Sequence, residues 1–342
     1  MKIAQIGSSG NFEYTLAAAK CGGCGLVGLC TDRHGNSTAP GVAERYGFTP
    51  KIYGDFTKML DETDADIVTV NSAAERNADF VAEALRRGKH VFSEKPIASD
   101  FESLCHIMRE YRTANSSKRL AATKAERVCF CGMLGMMDES VFMTARRLVS
   151  AGAIGDIRMI NAQISCKSGK EKRLYPEGGI IPCVAIDAID LIWRIFGLRF
   201  SEVFAFQGRE TGADGGSLET NASCLFHGTG GETVSVSADY LLPESAPCDT
   251  SVILRAAGTG GIMEIRGKKL YITDADGERE AEHYEEKGDI FADFLSEIKT
   301  GMPGRISAMG SFYSAYLALA ARESADTESA IPLNFDTFCL KI

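Results

Sequence analysis

Short apolar runs alternate with stretches of helical spacing along the first 95 residues of the chain. The runs predict buried strands at 2–6, 26–31, 67–71 and 91–92, and the spacing predicts helices at 11–20, 42–46 and 76–87. This order is typical of repeated β-α-β units around a parallel sheet. Because right-handed crossovers bring the carboxyl ends of such strands to one edge, we expect Gly7, Asp32, Asn71 and Lys95 to line one cleft.

The pattern changes after residue 122, beyond a predicted helix at 101–114. Period-two alternation then predicts longer strands at 157–165, 217–226, 232–240, 250–256, 261–265 and 270–272. We therefore predict an α/β domain over 1–122 and an α+β domain over 123–342, the second built on a large, mostly antiparallel sheet with one open face. Helices predicted at 290–300 and 309–322 cover the first domain or the sheet.

Composition narrows the class of protein. The 342 residues, 45% of them hydrophobic, are enough for two cores. A net charge of -9 argues against a nucleic-acid surface, which needs clustered Lys and Arg, so a small-molecule partner is favoured. No apolar run approaches the ~20 residues of a membrane helix, and Met1 leads directly into a strand. We expect no membrane association and a cytoplasmic location.

Cysteine spacing gives one tempting motif. The eleven cysteines are odd in number and scattered, which favours reduced thiols over a disulfide framework. Cys21 and Cys24 have the spacing of a metal or redox pair, but neither a second close pair nor a histidine pair lies nearby. We predict a glycine-rich connection here and no metal site.

The residues that carry most information are Glu94, Lys95 and Pro96. They place a lysine where an apolar run stops and a proline forces a turn, the position at which a parallel α/β sheet presents groups to ligands. We predict that the ammonium of Lys95 points at a bound substrate.

The ordered set of motifs resembles the glucose-fructose oxidoreductase and inositol dehydrogenase family, often written Gfo/Idh/MocA. The matching segments are 3–7, 66–68, 82–85, 88–91, 94–96, 152–155, 178–179 and 189–191. The resemblance implies an N-terminal Rossmann domain that binds NAD or NADP, and a C-terminal domain whose open-faced sheet pairs subunits into a homodimer or homotetramer.

The first turn is the predicted cofactor site. Backbone N–H groups at a helix N-terminus bind phosphate, and glycine lets the backbone approach it. Of the glycine fingerprint only Gly7 stands, since Ser9 and Phe12 replace the other two glycines. Gly10 and two serine hydroxyls can still cradle phosphate, and a turn without a ligand is the alternative. The predicted contacts are Gly7, Ser8, Ser9, Gly10 and Asn11.

Further cofactor contacts are predicted at the strand ends. Asp32 is the residue type that accepts a hydrogen bond from a ribose hydroxyl, whereas Arg33 suits a 2′-phosphate, so NAD and NADP both stay open. Asn71 and Ser72 end the strand that, by the resemblance, passes beside the nicotinamide ribose. The resemblance also adds Glu94, Lys95 and Pro96 to the cofactor contacts, and it puts Asn77 where the family often has a histidine.

The second domain departs from the family pattern. The resemblance implies an Asp and, four residues later, a catalytic His on one helix face, but this chain has Cys183 and Asp187 at those positions. Residues four apart share a helix face, so both are predicted to project toward the substrate. Tyr175, which precedes the helix, is a further predicted substrate contact. The expected histidine is absent.

Two assignments of the proton chemistry are open. Either Asp187 is the base and Lys95 holds the substrate oxygen, or Lys95 is the base and Asp187 positions it. Both describe an NAD(P)-dependent oxidoreductase that interconverts a secondary alcohol and a ketone on a sugar, cyclitol or related polyol. The alternative is a dinucleotide- or sugar-binding sensor without turnover, which the altered turn and the missing histidine favour.

Overall fold

The computed structural model describes residues 1–31, 39–123, 127–167, 179–211, 217–282, 287–340 and 342. The elements in chain order are β1 (Lys2–Ile6), α1 (Phe12–Cys21), β2 (Gly25–Cys30), α2 (Ala39–Arg45), β3 (Lys51–Tyr53), α3 (Phe56–Glu62), β4 (Ile67–Val70), α4 (Ala74–Arg86), β5 (His90–Ser93), α5 (Phe101–Ala114), α6 (Ser117–Thr123), β6 (Phe130–Gly132), α7 (Ser140–Ser150), β7 (Ile157–Lys167), α8 (Ile186–Phe196), β8 (Phe200–Thr211), β9 (Ser217–Gly228), β10 (Thr233–Leu242), β11 (Thr250–Gly258), β12 (Ile262–Arg266), β13 (Lys269–Asp274), β14 (Gly277–Glu280), α9 (Ile290–Thr300), α10 (Ala308–Thr327), β15 (Ile331–Pro332) and α11 (Phe335–Leu340).

The chain forms two compact units. The first contains residues 1–133, 289–313 and 342, and the second contains 134–288 and 314–341. The division at residue 122 stays a prediction. The compact units are drawn differently, because 289–313 belongs with the N-terminal residues.

A six-stranded parallel sheet organises the first unit, in the order β3-β2-β1-β4-β5-β6. The order reverses between β1 and β4, which is where doubly wound folds bind ligands. β4 is buried along its whole length, as expected for a central parallel strand covered on both faces. The predicted parallel α/β sheet is confirmed.

α9 supplies aromatic residues to the core of the first unit. Phe92 on β5 packs edge-on against Phe291 at 5.0 Å between ring centroids, and also contacts Phe294 at 5.5 Å. Asp289 caps this helix by accepting hydrogen bonds from the amides of Phe291 and Ala292. The segment predicted at 290–300 therefore helps to cover the first sheet.

A nine-stranded sheet organises the second unit, in the order β14-β13-β12-β11-β7-β10-β9-β8-β15. β7 and β10 pair in parallel, and the other neighbours pair antiparallel. This confirms the predicted large, mostly antiparallel sheet. One face is buried: along β10, Val234, Val236 and Ala238 all point into the core.

The opposite face of this sheet carries apolar side chains. Phe206, Leu225, Met159 and Ile253 are 58%, 57%, 40% and 49% exposed. Their register places them on one surface, since Leu225 pairs across to Ser235, whose other neighbour is Asn161, two residues from Met159. We call these four residues the open apolar face.

Two negative findings concern the described residues. No helix among them is both long and apolar enough to cross a bilayer. Within the same ranges, no three His, Cys, Asp or Glu side chains are grouped so that they could hold a metal ion.

Cys21 ends α1, and Gly23, at φ +67°, turns the chain toward β2. None of the eleven cysteines, all of which lie in the described ranges, is in a disulfide.

Candidate active site

The turn after β1 is closed against the end of β4. The amide of Gly7 donates to the carbonyl of Cys30 at 2.9 Å, and the amide of Ser9 donates to the carbonyl of Asn71 at 2.8 Å. Gly7 has φ +72°, and a Cβ there would lie 2.2 Å from the Asn71 carbonyl oxygen. Only glycine fits this position.

A buried polar network supports the turn from below. Gln5 Nε2 donates to Asn71 Oδ1 at 3.1 Å and to the carbonyl of Gly7 at 2.9 Å. Gln5 Oε1 accepts from Thr69 Oγ1 at 2.5 Å, and Thr15 Oγ1 donates to Asn71 Oδ1 at 3.2 Å. Gln5 and Thr69 were not predicted as site residues from the sequence. The signal was available, because each is a polar residue inside a strand that is otherwise apolar.

The turn fits the phosphates of a dinucleotide. Ser9 Oγ and Asn71 Nδ2 are buried and find no hydrogen-bond partner among the described residues. Buried polar atoms without partners are costly, so a polar ligand at this edge would satisfy them. α1 begins at Phe12 and turns its N-terminal amides to the same edge. Phe12 itself is buried in the hydrophobic core, which is how the chain accommodates it in place of glycine.

Glu94 joins the turn to Lys95. Its amide donates to the carbonyl of Val70 at 2.7 Å. Its Oε2 accepts from the amide of Asn11 at 2.7 Å, and its Oε1 accepts from Asn11 Nδ2 at 3.2 Å and from the amide of Lys95 at 3.1 Å. Burial raises the pKa of Glu94, against the lowering effect of the Asn11 amide and the Lys95 charge. Lys95 is half-buried, and its peptide bond to Pro96 is cis.

In the second unit, Glu219 fixes the start of the helix that carries the predicted substrate residues. Glu219 Oε2 accepts from the amide of Ile180 at 3.0 Å. A Cβ at Gly179, which has φ +72°, would lie 2.4 Å from that same oxygen. Glu219 Oε1 also accepts from Arg209 at 3.3 Å. A π-helical turn at Ile181–Ala185 then leads directly into α8.

Cys183 and Asp187 lie on this helical segment. Cys183 is in the π-helical turn and half-buried, and Asp187 is in the first turn of α8 and 8% exposed. The predicted helix over both residues is present, with a π-helical turn where a plain α-helix was expected. π-helical turns are frequent at functional sites.

Tyr240, on the strand next to the π-helical turn, was not predicted as a site residue from the sequence. It follows Val236 and Ala238 on the inward face of β10, which packs against the π-helical turn. Burial raises its pKa, and the nearby Cys183, Cys166, Glu219 and Asp187 raise it further. Its phenol therefore stays protonated and is able to donate a hydrogen bond.

A buried ion pair anchors α8 behind these residues. Arg194 Nε donates to both carboxylate oxygens of Asp190, at 2.7 and 2.8 Å. Ser314 Oγ donates to Asp190 Oδ1 at 2.5 Å and accepts from Trp193 Nε1 at 2.8 Å. Burial raises the pKa of Asp190, and the charge of Arg194 opposes this. The pair fixes the helix that carries Asp187.

The predicted residues fall into two groups. Those placed together in the first unit are Gly7, Ser8, Ser9, Gly10, Asn11, Asn71, Ser72, Glu94, Lys95 and Pro96. Cys183 and Asp187 lie together in the second. The predictions for Asp32, Arg33 and Tyr175 fall outside the described residues.

The fold and the turn are those of a dinucleotide-binding domain. Residues 1–121 match the model of an oxidoreductase family with an NAD-binding Rossmann fold, and residues 142–264 match the Gfo/Idh/MocA C-terminal domain. The chain belongs to this Gfo/Idh/MocA family, which confirms the resemblance and the NAD-binding character of the first unit.

Individual proteins with similarity to this chain include a curated relative and two solved structures. Inositol 2-dehydrogenase of Salmonella typhimurium is 24% identical over 161 residues, which are 47% of this chain and 44% of that protein. The chain thus spans less than half the length of the first curated relatives it matches. A solved structure of a candidate oxidoreductase from Thermotoga maritima is 35% identical, with a TM-score of 0.89 and coverage of 97% and 100%. Levoglucosan dehydrogenase, solved with NADH and levoglucosan, shares the fold at 17% identity, with a TM-score of 0.79 and coverage of 97% and 98%.

Proposed function

We propose that this protein is a nicotinamide-dependent oxidoreductase that interconverts a secondary alcohol and a ketone on a sugar, a cyclitol or a related polyol. The observation that supports it best is the turn at Gly7, where Ser9 Oγ and Asn71 Nδ2 are buried without partners in the described part of the chain. Relatives named inositol 2-dehydrogenase and the shared fold of levoglucosan dehydrogenase support the substrate class.

The residues of the first unit bind and orient. When bound, the dinucleotide supplies the ring that accepts or gives the hydride. The amides after Gly7 and the side chains of Ser9 and Asn71 would hold it, and Ser72 would lie beside its nicotinamide end. The ammonium of Lys95 holds the substrate oxygen and stabilises negative charge on it as the proton leaves.

Asp187 takes the place of the family's usual histidine. A carboxylate accepts a proton from a hydroxyl as the hydride leaves the same carbon. We propose that the phenol of Tyr240, which stays protonated because burial raises its pKa, donates a hydrogen bond to this group. The second assignment, Lys95 as base with Asp187 in a positioning role, predicts a different pH profile and is separated from the first by experiment.

The test follows the absorbance of the reduced nicotinamide while a panel of cyclitols, sugars and sugar acids is offered. Wild type should turn over at least one of them. Lys95→Met should lose turnover by at least about a hundredfold and keep dinucleotide binding. Lys89→Met is the matched control, because it removes a lysine beside the other end of β5.

Asp187→Asn separates the two assignments. If Asp187 is the base, this variant loses turnover and the acidic limb of the pH profile of kcat/KM. If it keeps full activity across the pH range, Asp187 is not the base. Dinucleotide binding without turnover on any substrate would favour the sensor, the alternative that the serine at position 9 and the missing histidine support.

We propose further that two copies of the chain associate through the open apolar face. The face carries four large, exposed apolar side chains, on β8, β9, β7 and β11 of one sheet, and exposed apolar patches are typical of interaction sites. A face of one sheet can be self-complementary in a two-fold dimer. Leu225→Lys should lower the mass measured by light scattering, whereas Met302→Lys, at a 70% exposed position of the first unit, should not. An unchanged mass in Leu225→Lys would refute this association.

A further inference from the structure

Asn77 makes three hydrogen bonds, and two of them reach the residues on either side of Lys95. It lies in the first turn of α4 and is 0% exposed. Its Nδ2 donates to the carbonyl of Glu94 at 3.2 Å and to the carbonyl of Pro96 at 3.0 Å. Its Oδ1 accepts from the amide of Ser72 at 3.2 Å. The two carbonyls belong to the residues on either side of Lys95.

The chemistry of this contact requires a carboxamide. A carboxamide has two N–H donors and one acceptor in a single plane, which matches two carbonyl oxygens and one amide. The flipped orientation would place Oδ1 against two carbonyl oxygens and two donors against an N–H, so the network fixes the assignment. A neutral imidazole offers only one N–H donor and leaves one of the two carbonyls without its bond.

Two bonds that flank one residue restrain the direction of its side chain. The lysine side chain is long and has many rotamers, so the position of its ammonium depends first on how its own backbone is held. The hydrogen bonds from Asn77 to the carbonyls of Glu94 and Pro96 restrain the backbone on both sides of Lys95. The bond to Ser72 ties the same carboxamide to the edge proposed for the nicotinamide ring.

We propose that Asn77 is a positioning residue for the reaction. Asn77 fixes the backbone on both sides of Lys95 and, through its bond to the Ser72 amide, ties this backbone to Ser72. It acts on the substrate only through Lys95. This inference rests on the proposed function, because it assigns Asn77 a role through the proposed role of Lys95.

The decisive variant is Asn77→Asp. The substitution keeps the size of the side chain and the acceptor for the Ser72 amide, and it replaces the two donors with lone pairs that face the carbonyls of Glu94 and Pro96. We expect kcat to fall about thirtyfold, since a small misplacement of a catalytic group has effects on this scale. The dissociation constant for NADH, measured by fluorescence, should change by less than about threefold, because the Ser72 bond is kept.

The chain offers a matched control in Asn115. Its Nδ2 donates to the carbonyls of Tyr111 and Val128, both at 3.1 Å, and its Oδ1 accepts from the amide of Val128 at 2.9 Å. Asn115→Asp thus breaks the same pattern of bonds elsewhere in the first unit. It should lose thermal stability through the same broken bonds, by less than Asn77→Asp because Asn115 is only half-buried, and leave kcat unchanged.

A second variant and a second readout guard against misfolding and against an inactive protein. Asn77→His keeps one donor and should lie between wild type and Asn77→Asp in kcat. Modification of the Lys95 amine by trinitrobenzenesulfonate, followed by peptide mass spectrometry, needs no turnover. We expect it to be about threefold faster in Asn77→Asp than in Asn115→Asp, because the backbone around the lysine opens more readily.

The outcomes separate the inference from the function on which it rests. If Lys95→Met keeps turnover, the proposed role of the lysine fails, whatever Asn77→Asp does. If Lys95→Met is inactive while Asn77→Asp equals Asn115→Asp in kcat and in the modification rate of Lys95, the proposed function stands and the inference is overturned. A loss in Asn77→Asp that exceeds the control in both readouts supports the inference.

Discussion

Gly7→Ala should damage the first unit far more than its single added carbon suggests. The Cβ of alanine would lie 2.2 Å from the carbonyl oxygen of Asn71, 2.7 Å from its carbonyl carbon and 3.0 Å from the Cα of Ser72. All three atoms are backbone, so no side-chain rotation relieves the contact. The turn must move away from the end of β4, and the bond from the Ser9 amide to Asn71 breaks with it.

The magnitude can be built from two effects. A non-glycine residue in the left-handed region costs about 1–2 kcal/mol. Forcing extra volume into a packed site costs about 1–3 kcal/mol more. Gly23 isolates the first effect, because it has φ +67° and an added Cβ there meets nothing within 4 Å. We expect a loss of about 2–5 kcal/mol in the free energy of unfolding for Gly7→Ala, against about 1–2 kcal/mol for Gly23→Ala.

The assay is urea unfolding of both variants, with NADH binding measured in parallel by fluorescence. Gly7→Ala should lose detectable binding, whereas Gly23→Ala should bind as wild type does, since Gly23 lies at the other end of α1. Equal losses of stability in the two variants, or NADH binding retained by Gly7→Ala, would refute the reasoning from the backbone contact.

Three further predictions follow from the buried groups. Arg194→Met leaves the Asp190 carboxylate buried without its cation and should lower the free energy of unfolding in urea by about 3–5 kcal/mol. Adding Asp190→Asn to this variant should cost less than Asp190→Asn costs in wild type. Strictly additive losses would count against the pair. Burial raises the pKa of Cys224 to about 12, so iodoacetamide at pH 8 should label the exposed Cys21 and spare Cys224 in native protein, as peptide mass spectrometry can check. The folded-state pKa of Glu94 is raised from 4.5, so its contribution to stability is present below that pH and is lost as the pH rises. The free energy of unfolding of wild type relative to Glu94→Gln should therefore fall from pH 4.5 upward. A difference that stays flat with pH would contradict this prediction.

Long, strongly patterned elements were predictable from the sequence. The helices expected at 101–114 and 290–300 have those bounds in the structure, as does the first strand. The three-residue strands β3 and β6 were missed, because a period cannot be recognised over so short a run. β8 was missed for a different reason: Phe204 and Phe206 lie on the open side of the sheet, so the run has no polar alternation.

The partners of the predicted site residues were not predictable. Asn11 meets Glu94 across 83 positions of sequence, and Gln5 meets Asn71 across 66. Which polar atoms meet depends on strand register and on where each strand ends, and neither can be read to within one residue from the pattern. Asn77 shows the same limit, since its position was noted only as a replacement for a histidine, whereas its three bonds depend on the turn at 94–96.

In the proposed reaction, Asp187 stands where the resemblance implies a histidine. A neutral histidine carries one donor and one acceptor, whereas an ionised carboxylate only accepts. In this proposal the phenol of Tyr240, which burial keeps protonated, supplies the missing donor. Arg194 binds both oxygens of Asp190 and thereby compensates the second carboxylate on the same helix. On this proposal the functions of one ring are divided between Asp187 and Tyr240, and Tyr240→Phe should reduce turnover; a variant with the turnover of wild type would contradict the division.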